Sequence, residues 1–520
     1  MRVRVLLVAY ALFNAILYSL LLPLWEGFDE PFHFAYVQQL GNLGGLPDPR
    51  TDRLSGEVGA SLLLAPASYA VKQNLPQVTV YGEYFSWPVE KRQAARRELY
   101  ALATEGRWER SNFLNYQAHH PPLAYLALAL PERVLAEVSL PLRVAVLRIL
   151  AALAGSLLLL KGAARLFEEL GVRELYKDVA LFCLLSSQMT WATLAHIGND
   201  WLAVPLAVWF LVASIRYWRC PSRRGVLLAA ALLAAGLLTK AYFVAFVPFL
   251  AGLCLWRKRW REAALAALIL IGLAGPWYAR NLIRYEVLTG TQEARSGINL
   301  AAVWRAAPEL DWPAVMSSSA RGALWTGNNT FSTFSASTLH LVIGLILVGL
   351  GLWATSRPAS AEWVAFSYCA LFALALAYSA VMSHVYTYGA STGPSPWYSQ
   401  VLFAPVLGLA LLGASRWGRA GRFTAIAMGL LFGYVLVATY AVKLIPLYGG
   451  YEGRTSLSAL MGLYGSRSGM LMANLDTVAL APAWVLVVLT GVVILFTLAG
   501  ATMILPTKPS AVSTPSTEGP

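Results

Sequence analysis

Residues 5–33 of this chain read VLLVAYALFNAILYSLLLPLWEGFDEPFH, an apolar run that ends in three carboxylates and a histidine. The run to about Leu24 is long enough to cross a bilayer as one helix. It is longer than the core of a signal peptide, and no small-residue cleavage site follows, so we expect a retained first span with a cytoplasmic N-terminus. Charged groups at the mouth of a span are costly near lipid and commonly mark a working site. This stretch predicts a membrane protein with a functional site at the end of its first helix.

The composition of the whole chain agrees with this class. The 520 residues are 58% hydrophobic and 13% charged, and mean hydropathy is +0.56. Apolar runs recur along the full length, which excludes a soluble domain and predicts an all-α polytopic membrane protein. The net charge of +13 falls in short basic clusters between apolar runs. That distribution is typical of membrane topology and does not indicate a nucleic-acid partner. The four scattered cysteines form no disulfide framework.

Basic clusters between the apolar runs predict the topology. We expect about twelve spans, near residues 5–24, 142–160, 179–196, 201–216, 225–239, 241–256, 263–279, 339–355, 362–383, 399–415, 423–445 and 478–503. Lysines and arginines alternate between the two sides, and the positive-inside rule puts the richer side, with both termini, in the cytoplasm. We therefore predict a multi-pass protein of the plasma or inner membrane, with one transmembrane domain over residues 1–503.

Three long polar connections fall on the external face in this topology. The first covers residues 25–141, the second 280–338 and the third 446–477. A run of about a dozen apolar residues at 120–131 suits an interfacial helix better than a span, so we expect the first loop to be short helices on the membrane surface. Residues 504–520 are rich in Pro, Ser and Thr and are expected to be a disordered cytoplasmic tail.

The first candidate site is the acidic segment after the first span. Asp29 and Glu30 precede Pro31, which suits the first turn of a helix, so Asp29 as N-cap and Glu30 at the positive helix end are one interpretation. Capping does not account for Glu26 and His33 at the same membrane mouth. We therefore favour catalysis or ligand binding by Asp29, Glu30 and His33.

Two further polar pairs lie at predicted external ends. His119 and His120 precede two prolines, and a polar turn entering an interfacial helix is the structural alternative to a ligand site. Asn199 and Asp200 end the third span, where either could cap the next helix.

Three cations complete the candidates. Lys240 interrupts about thirty apolar residues at an external hairpin, where lysine is disfavoured, so an anion partner competes with simple snorkelling. Arg280 and Arg284 lie about one turn apart after the seventh span, and interfacial anchoring is the alternative for them. Ionisable groups thus collect on the external face, with almost none in the middle of the predicted spans. A proton- or ion-coupled transporter keeps such groups at the midplane, whereas an enzyme acting on a lipid-linked substrate at the outer surface has this pattern.

Ordered motifs over about the first 290 residues resemble the GT-C fold glycosyltransferases, the group of protein mannosyltransferases and aminoarabinose transferases. The motifs are Phe28-Asp-Glu-Pro-Phe-His-Phe-Ala-Tyr36, Gly44-Gly-Leu-Pro47, His119-His-Pro-Pro-Leu-Ala-Tyr125, Asn199-Asp200, Leu238-Thr-Lys240 and Gly275-Pro-Trp-Tyr-Ala-Arg-Asn281. The DEPxH form, with His33 where many relatives carry tyrosine, is most similar to an uncharacterised bacterial branch. Leu324-Trp-Thr-Gly-Asn-Asn-Thr-Phe331 loosely fits the same branch.

The resemblance implies a GT-C-like bundle and a sugar transferase of the cell envelope that uses a polyprenyl-phosphate-sugar donor and inverts the sugar carbon. Asp29 would be the general base, helped by Glu30 and His33. Lys240, Arg280 and Arg284 would neutralise the departing lipid phosphate. His119, His120, Asn199 and Asp200 would bind substrate, and the acceptor would be a glycan, lipid or protein. The sequence leaves a divalent cation open as a cofactor.

Two other functions fit parts of the pattern. One is a transporter or flippase of lipid-linked sugars, with the external carboxylates as a gate. The other is a zinc hydrolase with His33, His119 and His120 as ligands. The transferase hypothesis makes a geometric prediction that the others do not: Asp29, His33, His119, Asp200 and Lys240 should line one cavity.

Overall fold

A computed structural model describes residues 2–102, 107–391, 393–451 and 456–504, apart from the side chains of residues 2 and 74. The predicted tail, residues 504–520, lies outside this part of the chain except for its first residue. Nearly all regular structure is helical, as the composition predicts. Helices α1–α7 are Arg2–Leu21, Glu30–Gln38, Gly56–Leu64, Tyr69–Asn74, Tyr81–Ser86, Val89–Tyr100 and Leu123–Val134. Helices α8–α14 are Leu140–Leu170, Glu174–Ser186, Gln188–Leu194, Asp200–Arg219, Arg223–Leu237, Val247–Trp256 and Trp260–Leu273.

The C-terminal half continues the same pattern. Helices α15–α20 are Gly275–Tyr285, Gln292–Arg295, Leu300–Ala306, Trp312–Leu324, Ala336–Ala354 and Ser360–Tyr386. Helices α21–α26 are Gln400–Ser415, Gly418–Ala438, Ile445–Tyr448, Leu457–Tyr464, Ser468–Val478 and Ala483–Ile504. Short 3₁₀ or π turns extend several of them, among them Tyr116–His119 before α7 and Ala241–Phe246 before α13.

Membrane-length helices dominate the described residues. Eight are long and apolar enough to cross a bilayer, and a ninth is the bent pair α14 and α15. The eight are Val3–Leu21, Leu140–Leu170, Asp200–Arg219, Ala336–Ala354, Ser360–Tyr386, Pro396–Ser415, Gly418–Tyr448 and Ala483–Ile504. All eight coincide with predicted spans, so the chain is a multi-pass helical membrane protein.

The other four predicted spans are helical but interrupted or short. The span at 179–196 breaks at Ser187, which is extended between α9 and α10. That at 263–279 bends by 57° near Ala274, where Pro276 removes a backbone donor. The spans at 225–239 and 241–256 become α12, of 15 residues, and a 3₁₀ turn followed by α13. Apolar runs locate these elements, but local breaks decide their lengths.

Helix α8 lies at the centre of the bundle, packed on α1 and α11. Gly155 permits the close approach of α11, since a Cβ there would lie 2.7 Å from the carbonyl oxygen of Trp201. Two arginines of α8, Arg143 and Arg148, are fully buried. Both lie toward the end of α8 that meets the first loop, and both guanidinium groups pair with carboxylates of that loop.

The first loop, residues 25–141, contains α2–α7 and one small antiparallel pair, β1 (Arg53–Ser55) with β2 (Arg110–Leu114). The expectation of helices alone is wrong for this pair. Arg143 of α8 contacts Glu57 and Glu132 of the loop, and Arg107 lies 3.1 Å from Glu57. These buried ion pairs hold the loop on the end of the bundle where α1 ends and where α8 and α11 begin.

Candidate active site

The acidic segment joins α1 to α2, and Asp29 is its strained residue. Its backbone is left-handed, with φ 53°, and its side chain makes no capping hydrogen bond to α2. The carboxylate instead accepts hydrogen bonds from Tyr116 Oη at 2.5 Å and Gln117 Nε2 at 2.9 Å. A left-handed non-glycine residue costs on the order of 1 kcal/mol and is typical of functional sites. The geometry thus removes the capping interpretation and leaves a part-exposed carboxylate.

Electrostatics keep this carboxylate basic. Burial raises the pKa of Asp29, and the hydrogen bond from Tyr116 and the charge of Lys240 oppose that rise. A carboxylate with a raised pKa accepts a proton more readily than an ordinary aspartate, which suits a general base. Tyr116 and Gln117 were missed by the sequence analysis, although they directly precede the pair His119 and His120.

Glu30 has a different environment from its neighbour. It is fully buried in a bidentate ion pair with Arg148 of α8, whose Nε donates to Oε1 at 2.7 Å. The backbone N–H of Ile197 also donates to Oε1, at 3.0 Å. Burial would raise the pKa of Glu30, but Arg148 outweighs it and holds the pKa below its ordinary value. The structure thus places Glu30 in a closed ion pair, and Arg148, an isolated charge in an apolar run, is the signal that the sequence analysis overlooked.

Glu26 is buried behind Asp29 among neutral groups. Tyr81 Oη donates to it at 2.9 Å, the N–H of Thr330 at 3.2 Å and Tyr448 Oη at 3.4 Å. Burial raises the pKa of Glu26 to about 8, against the effect of these hydrogen bonds. Thr330 belongs to the 324–331 motif, whose Asn329 donates to the carbonyls of Trp25 and Gly27. This motif therefore holds the acidic segment in place.

Three histidines form a cluster of rings between α2 and the turn before α7. The rings of His119 and His120 lie 4.1 Å apart, and those of His33 and His120 lie 5.6 Å apart. His33 Nδ1 is 2.7 Å from Tyr125 Oη, and His119 Nδ1 donates to the carbonyl of Tyr116. Burial lowers the pKa of His119 to about 4 and lowers the pKa values of His33 and His120 well below the ordinary range. The three rings are thus neutral at pH 7, and His33 stacks on His120.

A buried cation, Lys240, lies within electrostatic range of Asp29. Lys240 Nζ contacts Asp200 Oδ2 at 2.5 Å and lies over the ring of Tyr398 at 4.8 Å. Lys240 ends the α12 hairpin and Asp200 begins α11, so antiparallel packing of these helices brings the two together. The charge of Lys240 also acts on the pKa of Asp29 and of all three histidines. Asp29, His33, His119, Asp200 and Lys240 thus lie at the same end of the bundle. Of the five, only Asp29 lines the cavity described below, so the structure does not place all of them in one shared cavity.

Polar atoms around this ion pair lack protein partners. They are Asp200 Oδ1, both amide atoms of Asn199, Nδ1 of His196 and Nδ1 of His120, all buried. His196, which the sequence analysis missed, packs on Gly27, where a Cβ would lie 2.5 Å from the Cβ of His196. Buried polar groups are normally satisfied, so this set is suited to a polar ligand.

Arg280 and Arg284 make their contacts elsewhere. Arg280 Nη2 donates to the carbonyl of Pro47 at 3.1 Å, and Arg284 lies 3.7 Å from Asp48. They hold the turn at residues 44–49 against α15, instead of joining Lys240. Their side chains therefore lie at the edge of the site.

An aromatic cavity of about 280 Å³ opens beside Asp29. Asp29, Phe32, Tyr116, Phe331 and Trp397 are among its lining residues, and Asp29 is the one charged group in that lining. Trp397 stacks on Phe28 with ring centroids 4.3 Å apart. Among the described residues, no group of three His, Cys, Asp or Glu side chains has the arrangement of a metal site.

No model of a known protein family matches the chain, and no curated protein matches it either. The chain is similar to a solved structure, the crystal structure of ArnT from Cupriavidus metallidurans bound to undecaprenyl phosphate. The likeness has a TM-score of 0.42 and 14% identity and covers 85% of this chain and 75% of that one. ArnT is a GT-C glycosyltransferase, the class that the sequence motifs resemble.

Proposed function

We propose that this protein is an integral-membrane glycosyltransferase that moves a sugar from a polyprenyl-phosphate donor to an acceptor hydroxyl at the external membrane face. The observation that carries the proposal is the state of Asp29. Its carboxylate is withdrawn from its helix end, held by Tyr116 and Gln117, and lines an aromatic cavity within electrostatic range of Lys240.

In the proposed reaction, Asp29 and Lys240 have separate roles. Asp29 takes the proton of the acceptor hydroxyl while the acceptor oxygen attacks the anomeric carbon from the face opposite the phosphate. The bond from that carbon to the phosphate oxygen breaks, and polyprenyl phosphate leaves with the electron pair, so the sugar carbon is inverted. A positioned base contributes roughly 10²–10⁴-fold to such a step.

Lys240 is the cation for the leaving phosphate. It is buried, already paired with Asp200, and surrounded by unpartnered polar atoms of Asn199, His196 and His120. A fixed charge in a water-poor site stabilises developing negative charge more than the same charge in water. We assign Glu30 and Arg148 a positioning role, because their closed ion pair fixes the backbone on either side of Asp29.

The aromatic cavity supports this division. Because Asp29 is the one charge in its lining, the cavity is unsuited to a phosphate and suited to an uncharged, hydroxyl-bearing acceptor. Aromatic faces of this kind bury apolar surface and stack on flat groups. Lys240 and the histidines would then face the donor from the other side of the same carboxylate.

The test is Asp29→Asn in the full chain, reconstituted with a panel of decaprenyl-phosphate hexoses and pentoses and with a cell-envelope extract as the source of acceptor hydroxyls. Release of decaprenyl phosphate that depends on the extract is the readout. Asparagine keeps the shape of the side chain and its ability to cap a helix, so capping predicts little loss. We expect at least about a hundredfold loss of release, with an unchanged melting temperature. Glu90→Gln, on the exposed face of α6 in the same loop, is the matched control and should keep full release. An active Asp29→Asn variant would contradict the assignment. Transport of intact glycolipid across the vesicle without phosphate release would favour a flippase instead.

A further inference from the structure

A second cavity lies at the opposite end of the bundle, between α13 and α20. It has a volume of about 510 Å³, and its apolar lining includes Phe249, Gly252, Leu371 and three tryptophans, Trp218, Trp256 and Trp363. We call it the distal groove. Trp218 and Trp256 end α11 and α13 and Trp363 begins α20, so the three indoles surround one mouth. Asp200 lies at the opposite end of α11, and Lys240 precedes the 3₁₀ turn that leads into α13.

The mouth of the distal groove is strongly basic. Arg257 follows Trp256, lies over the ring of Trp218 at 4.7 Å and donates to its carbonyl at 2.6 Å. Lys258 and Arg261 follow on the exposed turn into α14, and Arg223 and Arg224 are exposed at the start of α12. Tryptophan at an interface together with lysine and arginine is the usual arrangement at the level of lipid headgroups.

Nearby carboxylates do not cancel this charge. Glu262 is buried, accepts from Tyr217 Oη at 2.5 Å and lies 3.6 Å from Arg259. Glu362, in the first turn of α20, is buried against Arg416 at 2.6 Å. The charges of Lys258 and Arg261 are therefore available to an outside anion.

Stacked rings separate the distal groove from the candidate active site. Phe246 lies between Tyr368 and Phe372, with centroid distances of 4.4 and 5.2 Å. Phe372 in turn meets Tyr242, the residue next but one to Lys240, at 5.4 Å. An occupant that enters at the indole mouth thus belongs to the leaflet at that end and does not reach Lys240.

We infer that the distal groove binds an anionic phospholipid, with an acyl chain between α13 and α20 and its phosphate among the cations that follow Trp256. Basic pockets between membrane helices are suited to such headgroups. The lipid would fill the gap between two helices that share few direct contacts at this level. This inference does not depend on the proposed transferase reaction.

Gly252 offers a clean test of the groove. Gly252 lines the groove and a Cβ there would meet no atom within 4 Å, so Gly252→Leu places a side chain in the space that the lipid would occupy. Gly491 of α26 has equally open space, so Gly491→Leu is the matched control. The full chain is purified in neutral detergent with equimolar phosphatidylglycerol and phosphatidylcholine, and retained lipid is counted by native mass spectrometry.

We expect wild type and Gly491→Leu to retain one phosphatidylglycerol and Gly252→Leu to retain none. Equal retention of both lipids by wild type, or undiminished phosphatidylglycerol in Gly252→Leu, would overturn the inference. If added decaprenyl phosphate displaces phosphatidylglycerol from wild type but does not bind Gly252→Leu, the groove holds a prenyl chain and the inference is also wrong.

A charge test addresses the headgroup. Lys258→Gln with Arg261→Gln should weaken phosphatidylglycerol binding by about fivefold for each charge removed, the size expected for a near-surface cation on an anionic lipid. Arg4→Gln with Arg173→Gln removes two exposed charges from α1 and from the start of α9, helices that pack on α8, α22 and α26 instead of the distal groove, and should change nothing. Equal losses in both pairs would show a general charge effect and contradict the site.

Discussion

Two buried ion pairs lie at the same end of this bundle, and they differ in how completely they are satisfied. Arg148 donates to Glu30 and to the carbonyls of Ser19, Leu22 and Pro23, and Glu30 also accepts from the backbone. Lys240 meets one oxygen of Asp200 and two aromatic rings, and the other oxygen of Asp200 has no protein partner.

The difference separates a structural ion pair from one prepared for a ligand. A buried charge persists when every polar atom around it is engaged, since an isolated one costs several kcal/mol. For Arg148, protein groups alone meet that condition. The Asp200–Lys240 pair meets it only in part, which is consistent with the proposed role of Lys240 as the cation for a leaving phosphate.

The largest expected effect concerns the closed pair. Arg148→Met leaves Glu30 buried without its partner and should lower the free energy of unfolding by about 3–5 kcal/mol, measured in mixed micelles. Adding Glu30→Gln should recover part of that loss. Arg165→Met breaks an exposed pair with Glu168 and should cost less than about 1 kcal/mol. If Arg148→Met and Arg165→Met lowered the free energy of unfolding by similar amounts, the buried pair would be no more important for stability than the exposed one, contrary to this prediction.

The open pair should show its effect in turnover instead. Lys240→Met combined with Asp200→Asn removes both charges together, so no buried ion is left uncompensated. We expect release of decaprenyl phosphate to fall by about a hundredfold or more, while the melting temperature changes little compared with Arg148→Met. If the double variant stays active, Lys240 is only a structural ion-pair partner. That result would contradict the proposal that the Asp200–Lys240 pair acts in turnover.

The smallest expected effect is a change in pH dependence. Transfer requires ionised Asp29, so activity should be lost as the pH falls through the raised pKa of that carboxyl. The hydrogen bond from Tyr116 lowers this pKa. Tyr116→Phe should therefore move the acidic limb of the rate profile upward by roughly one pH unit, the size of a hydrogen bond to a charged group.

Tyr81→Phe is the control for that experiment, because its hydroxyl bonds Glu26 at 2.9 Å and does not touch Asp29. It should leave the acidic limb in place. A shift in Tyr81→Phe alone would instead identify Glu26 as the titrating base.

Much of the fold could be predicted from the sequence, because a helix must be long and apolar enough to cross the bilayer and basic clusters mark the connections between such helices. Each predicted span corresponds to helix, and eight are full-length. The breaks at Ser187 and Ala274 were missed, since each interruption is short within an otherwise apolar run.

The candidate site was predictable in its residues but not in its contacts. Asp29, His33, His119, Asp200 and Lys240 are polar groups at helix ends, and such groups are visible in an apolar sequence. Tyr116 and Gln117 are not, because an ordinary polar residue in a polar loop has no distinctive pattern. His196 ends the predicted span at 179–196, so the same signal could have identified it. Arg280 and Arg284 had the right charge, yet they contact residues 47 and 48, which sequence distance alone does not indicate.

The sequence by itself determined that this chain is a multi-helix membrane protein with a charged segment after its first helix, since hydropathy and charge act residue by residue. Only the tertiary structure decided the roles of two adjacent carboxylates. Glu30 faces Arg148 and is closed in an ion pair, whereas Asp29 is turned by a left-handed backbone toward Tyr116 and an open cavity. The physical reason is that protonation and exposure depend on which distant groups the packed helices bring within a few ångströms, and neighbours in sequence can receive opposite surroundings.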